Sequence, residues 1–162
     1  MSVTTVVKDT ERFTMTMSTE YDVTAERAWQ LWEDPRQLER WWGPPTYPAT
    51  VVEHDLRAGG RVTYFMTGPE GDQPRGFWDV VEVRAPRRLV VQDGFADDAW
   101  TPVTAMPSTR MEVEILDREG GGVVVTIAST YASLEAMEQL LAMGMEEGML
   151  QAMGQIDGIL AA

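Results

Sequence analysis

The chain of 162 residues has no cysteine and only one histidine. Without cysteine it forms no disulfide, no thiolate nucleophile and no cysteine-ligated metal site, so a reducing compartment is permitted. His54 alone supplies neither a catalytic triad nor the two or three imidazoles of a usual histidine metal site. No glycine-rich phosphate loop follows a predicted strand. We therefore expect no metal and no cofactor, and we assign no catalytic residue.

Basic residues are scarce. Thirteen Lys and Arg stand against twenty-six Asp and Glu, which gives a formal net charge of −13. Binding to nucleic acid or to an anionic membrane surface requires a patch of cations, so both partners are disfavoured.

Long apolar runs are also missing. No run approaches the roughly eighteen residues of a membrane span, and the first residues lack the regions of a signal peptide. We expect a cytoplasmic protein. The length suits one domain over residues 1–162, with residues 1–11 as a flexible N-terminal extension.

Hydrophobic periodicity predicts the first elements. Residues 12–23 alternate between apolar and polar side chains, which is typical of a half-buried strand. Thr24 is suited to cap a short helix that Asp34 and Pro35 interrupt, and a second short helix follows over residues 35–42. Three prolines within residues 43–48 predict a loop.

Six further strands follow at short and even spacing. Because turn signals separate them and tight turns join antiparallel neighbours, we expect an antiparallel sheet. The strands are predicted at residues 51–56, 61–67, 76–83, 89–95, 110–116 and 123–131. The glycine run at 120–122 is the clearest hairpin signal.

The last thirty or so residues contain no proline, and their apolar residues recur at steps of three and four. This pattern predicts one helix over residues 133–162, with a stripe formed by Leu134, Met137, Leu141, Met145, Met149, Met153, Ile156 and Leu160. A sheet with one apolar face needs a cover, and only this helix is long enough. We predict an α+β helix-grip fold: a curved antiparallel sheet wrapped around a long C-terminal helix, with two short helices after the first strand.

Several motifs in order along the chain resemble one family. They are Trp41-Trp42-Gly43-Pro44, the DLRAGG segment at residues 55–60, PRRLV at 86–90 and GMEEGM at 144–149. Together they are similar to the family named after the activator of the heat-shock protein 90 ATPase, in the START/SRPBCC superfamily. The resemblance implies a helix-grip fold with a hydrophobic cavity between the sheet and the C-terminal helix. Because the superfamily includes lipid carriers, hormone receptors and polyketide cyclases, it implies a cavity and not a reaction.

Three functions follow as hypotheses. The favoured one is non-enzymatic binding of a small hydrophobic molecule in the cavity. The second is a co-chaperone-type module that binds a chaperone or another protein through an acidic face and the loop around Trp100. The third is a polyketide cyclase-like enzyme with Asp79 or Asp93 as the general base. All three leave the oligomeric state open.

Aromatic and methionine residues are the main candidates for a ligand site, because pockets are lined by such side chains with a few polar groups. We assign to it Trp42, Phe65, Phe77, Trp78, Phe95, Trp100, Tyr131, Met145, Gly148 and Met149. The expected cavity volume is roughly 300 to 1,000 Å³. Trp100, in an acidic loop, is either a lid over the cavity or an interface residue.

Three polar residues interrupt otherwise apolar strand faces. A carboxylate of Asp79 or Asp93 that pointed into the cavity would be desolvated and could act as a base or a ligand anchor. The favoured interpretation is that a one-residue bulge turns each outward, because bulges are common in curved sheets. His54 either projects into the cavity or, as we favour, forms a structural hydrogen bond.

Overall fold

The computed structural model describes residues 2–161, which contain eight strands and five helices. The strands are β1 (Thr4–Asp9), β2 (Thr14–Tyr21), β3 (Ala49–His54), β4 (Arg61–Met66), β5 (Arg75–Arg84), β6 (Arg88–Ala96), β7 (Thr109–Asp117) and β8 (Val123–Tyr131). The helices are α1 (Ala25–Glu33), α2 (Pro35–Trp41), α3 (Leu134–Ala142), α4 (Met145–Met153) and α5 (Ile156–Leu160). Met1 and Ala162, which belong to the predicted extension and the predicted long helix, lie outside the described residues.

The strands form one antiparallel sheet in the order β1-β2-β8-β7-β6-β5-β4-β3. The predicted α+β helix-grip class is confirmed. The strand predicted before the two short helices is β2, and the six predicted after them are β3 to β8. We call the face of the sheet that contributes to the hydrophobic core the inner face, and the opposite one the outer face.

The two short helices begin where their capping residues predict. The Thr24 side chain accepts a hydrogen bond from the Arg27 backbone N–H at 3.1 Å, which caps α1. Asp34 caps α2 in the same way through the Arg36 N–H, and Pro35 occupies the first helical position, where its missing N–H costs nothing. The Pro35 ring therefore separates α1 from α2 without disturbing either helix.

The N-terminus differs from the prediction of a flexible extension. Thr4–Asp9 forms the edge strand β1, which pairs with β2 along its whole length. Lys8 also forms an ion pair with Glu146 of α4 at 2.6 Å, and Ser2 donates two hydrogen bonds of 2.7 Å to Asp157 of α5. The prediction was wrong because β1 forms a hairpin with β2 and is also held by Ser2 and Lys8, whose partners lie more than 130 positions away in the sequence.

The C-terminal region also differs from the prediction of a single helix. It is divided into α3, α4 and α5, and the first break falls at Gly144, whose φ of 88° is left-handed. Glycine adopts this conformation without the strain that a side chain would bring. Beyond the break, Met145 and Met149 of α4 pack against the hydrophobic core.

Candidate functional site

A cavity of about 270 Å³ lies between the sheet and the C-terminal helices. Its volume is slightly below the predicted range. The cavity is lined by Trp42, Gly43, Pro44, Tyr64, Met66, Asp93, Gly94, Phe95, Met143, Gly144, Met145, Gly148, Met149 and Ala152. Three parts of the chain contribute to this lining: the loop after α2, the inner face of strands β4 and β6, and the segment around the break between α3 and α4.

The helical wall consists of methionines around a glycine. Met145 and Met149 lie one turn apart on α4 and both pack against the core. Gly148 lies between them, and a Cβ built on it would meet no atom within 4 Å. This glycine therefore contributes open volume and not close packing. Methionine side chains are unbranched and polarizable, so this wall is suited to adapting to the shape of a bound molecule.

The loop after α2 is held in place over the cavity by hydrogen bonds. Gln155, between α4 and α5, donates a hydrogen bond to the Gly43 carbonyl at 2.8 Å. Gly43 has a φ of 111°, and a Cβ there would lie 2.4 Å from the Tyr47 carbonyl oxygen, so only glycine fits. The wall formed by Trp42, Gly43 and Pro44 is thus coupled to the C-terminal helices.

In the part of the chain that the structure describes, Asp93 is the one carboxylate that lines the cavity. It lies on the inner face of β6, where the Tyr64 hydroxyl donates a hydrogen bond to its Oδ1 at 3.0 Å. The favoured expectation of an outward-turning bulge was wrong for Asp93, because β6 pairs in continuous register with β7 up to this residue and with β5 on both sides of it. The side chain remains on the same face as Leu89 and Val91 of the core.

Burial in the apolar cavity raises the pKa of Asp93 from 3.8 to about 7. The hydrogen bonds from Tyr64 and from the Gly94 backbone lower the pKa, but burial has the larger effect. No Lys, Arg or His is among the residues that line the cavity. Burial, with the negative charge of Asp93 beside it, also holds the pKa of Tyr64 well above 10. Near neutral pH Asp93 therefore exchanges between its acid and its carboxylate form.

Gly76 makes the Tyr64–Asp93 hydrogen bond possible. It lies opposite Tyr64 on the neighbouring strand β5, and a Cβ there would lie 2.4 Å from the Tyr64 hydroxyl oxygen. Because Gly76 has no side chain, the Tyr64 ring lies across β5 and reaches Asp93 on β6. On the outer face, Gly94 of β6 lies opposite Phe77 of β5, and the Phe77 ring occupies the space that a side chain at Gly94 would need.

Gly76→Ala is expected to destabilise the protein by about 1 to 3 kcal/mol, because the added methyl group must displace the Tyr64 ring. Chemical denaturation measures this cost. The cost should fall sharply in a Tyr64→Ala background, which removes the displaced ring. An equal cost in both backgrounds would show that Gly76 is required for another reason.

Five of the ten predicted ligand-site residues line the cavity: Trp42, Phe95, Met145, Gly148 and Met149. The other five do not line the cavity, so their predicted placement was wrong: Phe65, Phe77, Trp78, Trp100 and Tyr131. Phe65 and Phe77 lie on the outer face, where the Arg61 guanidinium covers the Phe77 ring at 4.8 Å. Trp78 lies on the inner face but is fully buried in the core, with its ring 4.9 Å from that of Trp42.

Trp100 and Tyr131 also lie away from the cavity. Trp100 is not among the described residues that line the cavity, and the Arg75 guanidinium lies 4.5 Å from its ring. Tyr131 is a core residue at the end of β8, and burial raises the pKa of its hydroxyl to about 12. Its hydroxyl has no hydrogen-bond partner among residues 2–161.

Asp79 and His54 do not contribute to the cavity. Asp79 is exposed on the outer face of β5, where it pairs with Arg61 at 2.9 Å. The bulge in β5 falls later, between Val80 and Glu82, so Asp79 points outward by the ordinary alternation of the strand. His54 forms a structural hydrogen bond, with its Nε2 2.8 Å from the Trp32 carbonyl oxygen, as the favoured interpretation expected.

The sequence analysis missed Tyr64, Met66 and Met143. Tyr64 and Met66 share the inner face of β4 with Val62, but the large apolar Phe65 between them hides the alternation that would otherwise indicate this face. Met143 lies outside the regular helices, at the exposed rim beside Gly144. Its position follows from the helix break.

Residues 2–161 were compared with the requirements of a metal site and of a membrane-spanning helix. No group of three or more His, Asp or Glu side chains in that part of the chain is placed to hold a metal ion. None of the helices described there has both the length and the apolar composition needed to cross a membrane.

Comparison with known proteins identifies relatives along nearly the whole chain. Residues 22–161 match the sequence profile of the family described as Activator of Hsp90 ATPase homolog 1-like protein. The crystal structure of protein Ms6760 from Mycobacterium smegmatis is 45% identical, with a TM-score of 0.89 over 98% of this chain and 97% of that one. A solution structure of a protein from Arthrobacter aurescens is 44% identical, with a TM-score of 0.92 over 97% and 91% of the two chains. No match is found among curated protein sequences.

Proposed function

Because the chain belongs to the family of Activator of Hsp90 ATPase homolog 1-like proteins, whose fold is typical of ligand-binding domains, we propose that its cavity binds a small hydrophobic molecule. One observation carries the proposal: an apolar cavity lined by methionine and aromatic side chains, with a single carboxylate and a single phenol inside it. Binding pockets combine apolar walls with few polar groups in this way. The volume of about 270 Å³ suits a compact molecule and not a long acyl chain.

The orientation of Asp93 favours a second candidate, the enzyme hypothesis. A carboxyl group with a pKa of about 7 inside a cavity is matched to proton transfer near neutral pH. Asp79 no longer supports this hypothesis, because it is exposed and paired with Arg61. Chemical conversion of a bound molecule, lost in Asp93→Asn, would distinguish catalysis from binding alone.

The co-chaperone hypothesis receives less support from the structure. It relied on Trp100 as an exposed contact residue, and Trp100 packs instead on Arg75. A pull-down with a chaperone of the heat-shock protein 90 class tests this hypothesis directly.

Two measurements test ligand binding. Titration with the neutral apolar dye N-phenyl-1-naphthylamine should give saturable fluorescence with one site per chain, and butylbenzene should displace the dye by occupying the same apolar volume. Mass spectrometry of an organic extract of the purified protein should identify molecules that copurify with it. A dye signal that does not saturate, or that butylbenzene does not displace, would contradict the proposal.

A further inference from the structure

We propose that the cavity selects hydrophobic amines and holds the ammonium group between the Asp93 carboxylate and the rings of Trp42 and Tyr64. This inference rests on the proposed function, because it names the chemical class of the molecule that the cavity binds. It follows from the isolation of Asp93, from the aromatic rings beside it and from the charge of the whole chain.

Asp93 has no cationic partner in the described part of the chain. The neighbouring strands bring Tyr64 from β4, Trp78 from β5 and Thr109 from β7 towards it, and none of these carries a positive charge. The helical wall contributes methionine, glycine and alanine, and the loop after α2 contributes Trp42, Gly43 and Pro44. Among residues 2–161, Tyr64 is therefore the only other titratable side chain that lines the cavity.

An ammonium group would supply the missing charge. Tyr64 donates to Oδ1 of Asp93, and no side chain donates a hydrogen bond to Oδ2 among residues 2–161. A charge-assisted hydrogen bond from a ligand N–H to a carboxylate is roughly twice as strong as a bond between neutral groups. A cation beside Asp93 would also favour its ionised form, which burial otherwise opposes.

The aromatic rings are suited to the same group. The rings of Trp42 and Tyr64 lie 5.9 Å apart and nearly perpendicular, at 87°, and both residues line the cavity. Ring faces attract cations through their quadrupole. The Tyr64 ring, whose hydroxyl is bonded to Asp93, and the Trp42 ring in edge-to-face contact with it therefore place aromatic surface in the same lining as the carboxylate.

Anionic ligands are disfavoured by the same features. A carboxylate ligand would face Asp93 without any cation in the cavity lining to offset the repulsion. The net charge of −13 also repels anions and attracts cations over longer distances. The cavity should therefore prefer hydrophobic amines to fatty acids, although both kinds of molecule have an apolar chain.

Calorimetric titration with four matched probes tests the inference: 4-phenylbutylamine, 4-phenylbutanol, butylbenzene and 5-phenylpentanoate. At pH 8 the amine should bind about 10- to 100-fold more tightly than the alcohol, the range that one hydrogen bond to a charged group supports. The preference should shrink between pH 8 and pH 5, as Asp93 becomes protonated. The carboxylate should bind more weakly than butylbenzene.

Two variants identify the group responsible. Asp93→Asn should bring the affinity of the amine down to that of the alcohol, and Asp79→Asn, which removes an exposed carboxylate, should keep the full preference. This inference would be overturned if the wild type bound amine and alcohol equally, or if the preference for the amine survived Asp93→Asn. Binding of butylbenzene in the same experiment would still support the proposed function. Failure of all four probes to bind would overturn both.

Discussion

Asp93→Asn is expected to stabilise the protein relative to the wild type above pH 7, although it replaces a buried hydrogen-bonded residue. The pKa of Asp93 is about 7 in the folded protein and is near 3.8 when the residue is exposed. The folded state therefore binds more protons than the unfolded state between these two values. The stability contributed by Asp93 is fully present below about pH 4 and is lost as the pH rises through 7.

The size of this loss follows from the pKa difference. Each unit corresponds to about 1.4 kcal/mol, so a rise from 3.8 to about 7 sets an upper bound of about 4 kcal/mol. Solvent that reaches Asp93 through the cavity reduces the effect, and we expect about 2 kcal/mol. Asparagine has nearly the same shape and no charge, so the variant should lack this pH-dependent loss.

Urea denaturation of both proteins between pH 4 and 8 measures the difference in the free energy of unfolding. As the pH rises, the free energy of unfolding of Asp93→Asn should increase relative to that of the wild type. Asp79→Asn is the matched control, because it removes an exposed ion pair with Arg61 and should change stability by less than about 1 kcal/mol throughout. Parallel pH profiles for the wild type and Asp93→Asn would show that Asp93 is not desolvated.

Gly148→Leu is expected to abolish uptake of N-phenyl-1-naphthylamine without unfolding the protein. The leucine side chain enters open space, since a Cβ at Gly148 meets no atom within 4 Å, and this space belongs to the cavity. Replacing glycine by leucine inside a helix also favours helix formation by up to about 1 kcal/mol. Dye affinity should fall by more than about tenfold, the equivalent of about 1.4 kcal/mol, while the melting temperature stays unchanged or rises.

Gly158→Leu provides the matched control for this prediction. Gly158 also lies in a helix, α5, and also has open space at its Cβ, but it is exposed and does not line the cavity. The control should bind the dye as the wild type does. Equal dye affinity in Gly148→Leu, Gly158→Leu and the wild type would place the dye outside the cavity.

The fold was predictable because its signals are local. Alternation specifies β7 and β8, Thr24 caps α1, Asp34 and Pro35 separate the two short helices, and the glycine turn at 120–122 joins β7 to β8, each within a few residues. These elements also specify the antiparallel order, because tight turns join most of the strands. The resemblance to the family then agreed with the architecture at every motif.

The faces of β4 and β5 were not predictable in the same way. Both strands carry large apolar residues at consecutive positions, Tyr64 and Phe65 in β4 and Phe77 and Trp78 in β5. A shift of one residue exchanges the two faces of a strand, so alternation cannot decide which aromatic ring faces the core. Gly76 lies opposite Tyr64, and Gly94 lies opposite Phe77. These glycines indicate which face each ring occupies only once the register of the strands is known.

Neither the break at Gly144 nor the strand β1 has a strong local signal in the sequence. Glycine is tolerated inside helices, so neither Gly144 nor Gly148 alone indicated which would end one. The structure ends α3 before Gly144 and keeps Gly148 inside α4, where it opens the cavity. β1 is only half-buried, and Val7 is 60% exposed, so the strand lacked the alternation of a buried element.

The methionines allow the most direct test of the claim that this cavity binds a hydrophobic molecule. Of the eleven methionines, four line the cavity, namely Met66, Met143, Met145 and Met149, and five are buried elsewhere in the core, namely Met15, Met17, Met111, Met137 and Met153. Methyl NMR spectra of protein labelled with ¹³C-methyl methionine should be recorded during titration with butylbenzene. We expect saturable shifts of the four cavity methyl groups and little change in the five core methyl groups. Shifts confined to the core methyl groups, or no saturable shift at all, would contradict the assignment of the cavity as the ligand site.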